Sequence, residues 1–184
     1  MQPRLLRALA LAVLACAIAA APAAAAPSCA PVSSATIHPG VQTFTDGAQC
    51  TANFVFYDAG AVYLGQAAHC SGTGAATDID GCTSASLPLG TAVDIGGSRP
   101  GTLVYNSWLT MQSHGETDAD TCAFNDLALV RVDAADVGTV NPSIPFWGGP
   151  TGLDINGTAT GDTVLSFGNS ELRGGITQVS PKQG

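Results

Sequence analysis

The stretch Val62-Tyr63-Leu64-Gly65-Gln66-Ala67-Ala68-His69-Cys70 decides how this chain is read. Its first half is short, aromatic and β-branched, the composition of a strand and not of a helix. Just upstream, Ala52-Asn53-Phe54-Val55-Phe56-Tyr57 has the same character, and Asp58-Ala59-Gly60 separates it from Ala61 to Gln66 as a turn, so the two form a hairpin. Further turn-bounded apolar pieces follow at 101–105, 127–132, 163–167 and 175–179. Short strands punctuated by Gly and Pro, with almost no helical periodicity, predict an all-β barrel or sandwich. Only Asp133-Ala134-Ala135-Asp136-Val137 suits a helical turn.

The first 26 residues read as a secretory signal peptide: Arg4 and Arg7 precede an apolar run from Ala8 to Ala21, and Ala23 to Ala26 supply the small residues of a cleavage site. Val13-Leu14-Ala15-Cys16 loosely resembles a lipoprotein cleavage site, which leaves lipid attachment at Cys16 as an alternative. Removal of the leader lowers Lys plus Arg from 6 to 4 against 14 acids, so the net charge moves from −8 to −10. Such a surface repels phosphates and anionic lipid heads, and neither nucleic acid nor a membrane is expected as a partner after the leader is removed. The expected location is secreted, extracellular.

Five cysteines follow the leader, namely Cys29, Cys50, Cys70, Cys82 and Cys122. Export implies oxidation, and two bridges with one cysteine left over allow 15 arrangements. No Cys-x-x-Cys or His-x-x-x-His spacing exists to hold zinc. The acidic runs Asp78-Ile79-Asp80-Gly81 and Glu116-Thr117-Asp118-Ala119-Asp120 lack the full calcium-loop pattern and read as solvated surface. No metal and no cofactor is expected.

His69 follows one strand, and Asp126 opens Asn125-Asp126-Leu127-Ala128-Leu129-Val130-Arg131-Val132. A hydroxyl is a poor nucleophile at neutral pH. Acyl transfer through it needs a base at hydrogen-bond distance and a group that fixes the tautomer of the base. Strand, His, Cys, an upstream partner Cys and a downstream Asp-Leu-Ala-Leu-Val, in this order, resemble the trypsin/chymotrypsin-like serine endopeptidases of the secreted bacterial type. His38 and His114 lack such a context and read as solvent-facing loop residues.

The resemblance, which covers about Ile37 to Gly184, implies catalytic roles for His69 as base and Asp126 as its orienter, with a protein or peptide as substrate. It implies a Cys50–Cys70 bridge worth roughly 3 kcal/mol by loop-closure entropy. Cys82–Cys122 is expected as the second bridge and Cys29 as the unpaired cysteine. The implied fold is a double β-barrel: a signal peptide over 1–26, a first barrel over 27–145, and over 146–184 a linker and the start of a second barrel. The boundary is suggested by the run from Asn141 to Pro150, where three prolines and two glycines interrupt regular structure.

The family also requires a nucleophilic Ser in a Gly-Asp-Ser-Gly turn, which this sequence does not contain. Thr163 and Ser170 lie outside such a turn and are not taken as nucleophiles. The expectation is therefore a first barrel with a truncated second one, without peptidase activity in the 184 residues, and a monomer when complete. A non-catalytic secreted binding module on the same scaffold stays open, as does completion of the site by a separate polypeptide.

Overall fold

The computed structural model describes residues 27–58, 60–75, 77–174 and 176–184. The signal-peptide reading, with its lipid alternative at Cys16, lies outside the described residues.

The molecule is built mostly of short antiparallel strands. Strands β1 (Gln42–Thr45) and β2 (Ala48–Thr51) form a two-stranded sheet. Asp46 and Gly47 join them with φ of 48° and 88°, the left-handed pair that a tight two-residue hairpin turn demands. Strands β3 (Val55–Asp58), β4 (Ala61–Gln66), β5 (Ala92–Val93), β6 (Gly101–Asn106) and β7 (Ala128–Arg131) form a five-stranded sheet in the order β3-β4-β7-β6-β5, antiparallel throughout. Strands β8 (Leu165–Phe167) and β9 (Pro181–Gln183) make a second two-stranded sheet.

Among the described residues the sheets do not close into a barrel. An isolated bridge between Phe44 and Asp94 links β1 to the residue after β5, with both N–H···O bonds made at 2.9 and 3.0 Å. Ahead of β3, Asn53 N–H donates to the Gly65 carbonyl and Gly65 N–H to the Phe54 carbonyl, each at 2.8 Å, which extends the β3–β4 ladder. At Gly65 a Cβ would meet the Asn53 carboxamide and the Phe56 ring, so a side chain there requires both neighbours to shift.

Alternation along β4 and β7 sends Val62, Leu64, Ala128 and Val130 inward to meet Ile37, Val93, Ile95, Leu103 and Val140 in one apolar core. Removing apolar area from water on this scale is the main term that holds the strands together. A register shift between Leu103 and Tyr105 bulges β6 just before its end.

Two helices depart from the nearly helix-free expectation: α1 (Ser107–His114) and α2 (Ala119–Phe124). The Asn106 carboxamide oxygen caps α1 by accepting from Trp108 N–H, and Gly115 at φ 66° closes its far end. His114 therefore stands exposed in the last turn of α1, not in a loop. His38 is half-buried with its Nδ1 at 2.7 Å from the Pro39 carbonyl oxygen, so it does not face solvent freely.

The helical turn anticipated at 133–137 is a single hydrogen-bonded turn, Asp136 N–H donating to the Asp133 carbonyl at 2.9 Å, and it runs into a 3-10 turn over Val137–Thr139. The stretch expected as a strand over 175–179 has no strand among its described residues, and the strand that pairs with β8 begins at Pro181. Both expected disulfides are present, Cys50–Cys70 and Cys82–Cys122, and Cys29 is free and exposed.

Candidate active site

The site is assembled from the ends of three strands. Strand β4 ends at Gln66, and the 3-10 turn Ala68–Ser71 follows at once, presenting His69 to solvent while Ala68, Cys70 and Ser71 point inward. Ala68 is fully buried against Trp108 and Met111 of α1, so its small size is a packing requirement. The Cys50–Cys70 disulfide ties the turn to β2.

Asp126 lies between α2 and β7. Its Oδ2 stands 2.7 Å from His69 Nδ1, and its Oδ1 accepts from the His69 backbone N–H at 2.9 Å. A carboxylate only accepts, so Nδ1 carries the proton and Nε2 keeps its lone pair in the neutral ring. No protein group among the described residues bonds to Nε2. The His69 side chain is 54% exposed and that of Asp126 33% exposed.

The hydrogen bond to Asp126 is the largest influence on His69 and raises its pKa, against partial burial that lowers it. For Asp126, burial is the largest single influence and pushes upward. The hydrogen bonds from the His69 ring and backbone outweigh it together with the His69 charge, so Asp126 is held below its ordinary value.

The strand-to-helix junction at 106–107 supports both partners. Asn106 Nδ2 donates to the carbonyl of Ala68, the residue before His69, at 3.2 Å. Ser107 Oγ donates to the Asn125 carbonyl at 2.7 Å and accepts from Leu127 N–H at 3.0 Å, bracketing Asp126 on either side. Ser107 is fully buried and Asn106 nearly so. Sequence reasoning passed over both, although Asn106, His114 and Gly115 carry the start and stop signals of a helix.

A cleft of about 410 Å³ borders His69. Its walls include Gln49, the Cys50–Cys70 disulfide, Asp78 and Trp108. No protein-family model, curated protein or solved structure matches this chain. What the site does must be argued from its own atoms.

His38 and His114 stay apart from it, each turned to a backbone carbonyl, Pro39 and Thr110 respectively. Ser170 Oγ accepts from Leu172 N–H and caps a 3-10 turn at Glu171–Arg173. The acidic runs likewise cap backbone: Asp78 accepts from Ala75 N–H, Asp80 from Cys82 N–H, and Asp118 from Thr121 N–H at the start of α2. Cys50, His69 and Cys70 lie together, as do Asp80, Cys82 and Cys122, but in each group the cysteines are joined and offer no thiolate.

Proposed function

We propose that these residues form the base-bearing half of a serine-endopeptidase site, in which His69 is the general base and Asp126 its orienter. The observation that carries the reading is the Nδ1–H of His69 held by Asp126, with Nε2 unpaired among the described residues and the ring on the border of an open cleft. In acyl transfer that lone pair takes the proton of an attacking hydroxyl and later hands it to the leaving amine, and the ionised Asp126 stabilises the imidazolium formed in between. A base of this kind contributes about 10²- to 10⁴-fold in rate. The reading also requires a nucleophile and oxyanion donors, and no Gly-Asp-Ser-Gly turn stands in these residues.

On this reading the fold is the first barrel of a trypsin-like double barrel, with 146–184 contributing to a second. The Phe44–Asp94 bridge supports it, since it connects the β1–β2 sheet to the edge of the five-stranded sheet in the sense that closure requires. Secretion is supported by the leader pattern and is compatible with two disulfides. The substrate is a peptide bond.

The test is the coding sequence past Gly184 together with the protein it encodes. The expected result is an in-frame Gly-Asp-Ser-Gly whose serine is labelled by a fluorophosphonate, with labelling abolished in His69→Ala. A continuation without such a serine, or labelling indifferent to His69, overturns the proposal.

A further inference from the structure

The cleft that borders His69 carries a second ionisable group. Asp78, which the sequence places in a solvated acidic run, lines that cleft and is half-buried, while Ile79 and Asp80 next to it are exposed. Its position is fixed from two sides. Oδ2 accepts from the Ala75 N–H at 3.0 Å, and the Asp78 N–H donates to the Ala75 carbonyl at 2.9 Å. At Gly74 a Cβ would meet Oδ2, so the missing side chain there leaves the carboxylate its room.

No cation of the protein answers this carboxylate. Among the described residues the one ion pair joins His69 to Asp126, so Asp78 lines the cleft without a counter-charge. Oδ2 already serves Ala75, and Oδ1 has no partner among the described residues. The walls beyond His69 and Asp78 are uncharged: Ala48, Gly72 and Gly74 leave space, and Trp108 and the Cys50–Cys70 disulfide offer apolar surface. At about 410 Å³ the cleft has the size of a ligand pocket, and 14 acids against 6 Lys and Arg add a long-range pull on cations.

We propose that this cleft selects a peptide segment by a lysine or arginine side chain, with the cationic head on Asp78 and the alkyl stem along Trp108 and the disulfide. The same carboxylate repels an acidic side chain. An apolar side chain of equal length keeps the stem contacts and loses the charge contact. Selection of a cation is a property of the cleft itself, whereas its meaning as a substrate preference rests on the reading of His69 as the base of a peptidase.

The test titrates the full chain with three blocked tripeptides, Ala-Lys-Ala, Ala-norleucine-Ala and Ala-Glu-Ala, at fixed pH and low salt. NMR of the His69 ring protons reports binding beside the base, and no peptide cleavage is needed. The lysine peptide is expected to bind about 3-fold or more tighter than the norleucine peptide and to move the His69 signals, with the glutamate peptide weakest. Added salt narrows the difference. Asp78→Asn, which keeps an acceptor for the Ala75 N–H, abolishes the preference, and Asp80→Asn on the exposed neighbour leaves it in place. Equal or tighter binding of the norleucine peptide, a preference that survives Asp78→Asn or follows Asp80, or no lysine-peptide effect on His69 at millimolar concentration overturns the proposal. The two readings fail separately: a coding sequence without a nucleophilic serine sinks the peptidase and leaves the cation preference, and a serine labelled through His69 with no such preference sinks only the latter.

Discussion

Asp126 holds His69 at two points, with Oδ2 on the ring Nδ1 at 2.7 Å and Oδ1 on the backbone N–H at 2.9 Å. The first contact sets the orientation of the ring, and the second sets the position of the backbone that carries it. One carboxylate thereby fixes both the direction and the location of the free nitrogen.

Asp126→Asn removes the charge and keeps the shape. The His69 titration, followed by NMR of its ring protons, is expected to shift downward from its raised value, because the hydrogen bond to the carboxylate is the largest influence raising it. An unchanged titration in this variant would show that Asp126 does not control the base.

The same pair sets a pH window for stability. His69 is raised, so its contribution is full below the ordinary 6.5 and is lost as pH rises through the folded value. Asp126 is lowered, so its contribution is full above the ordinary 3.8 and is lost as pH falls through the folded value. Both act fully between 3.8 and 6.5. The urea midpoint difference between the wild type and His69→Ala is expected to be larger in that window than well above it.

Ser107→Ala strips the partner from Leu127 N–H and Asn125 C=O at a fully buried position. The expected cost is about 1 to 3 kcal/mol in urea unfolding. Asn106→Ala removes the α1 cap and the bond to Ala68 together and should cost at least as much.

Ala68→Leu forces a large side chain against Trp108 and Met111 where no room exists. About 1 to 3 kcal/mol is expected to be lost, with a lower thermal midpoint, whereas the half-buried neighbour Ala67 should tolerate the same change better.

The strand skeleton around the site was legible because alternation is written in the residues. Ala61–Gln66 matches its expected bounds, and the segments at 101–105 and 127–132 differ by a residue at each end or less. The β1–β2 hairpin was overlooked although Asp46-Gly47 is a strong turn signal, because Gln42 to Thr51 is too polar to read as strands. Helix α1 was missed for a related reason. Its stability comes from caps and from burying Trp108 and Met111, not from an apolar stripe of the usual period.

His69 and Asp126 were both named in advance, and the structure brings them into contact. Asn106 and Ser107 were not. Their role depends on which backbone groups happen to lie beside them, which is a property of the fold and not of local sequence.

The junction at 106–107 joins α1 to both sides of the site, and this bears on how the site is lost. An opening that melts the first turn of α1 frees the Ala68 carbonyl and the Asn125 and Leu127 backbone in one event. In hydrogen-exchange terms, the amides of His69 and Leu127 are expected to open in one cooperative unit with the start of α1. Base and orienter share that support, so a loss of the junction is expected to disable both at once.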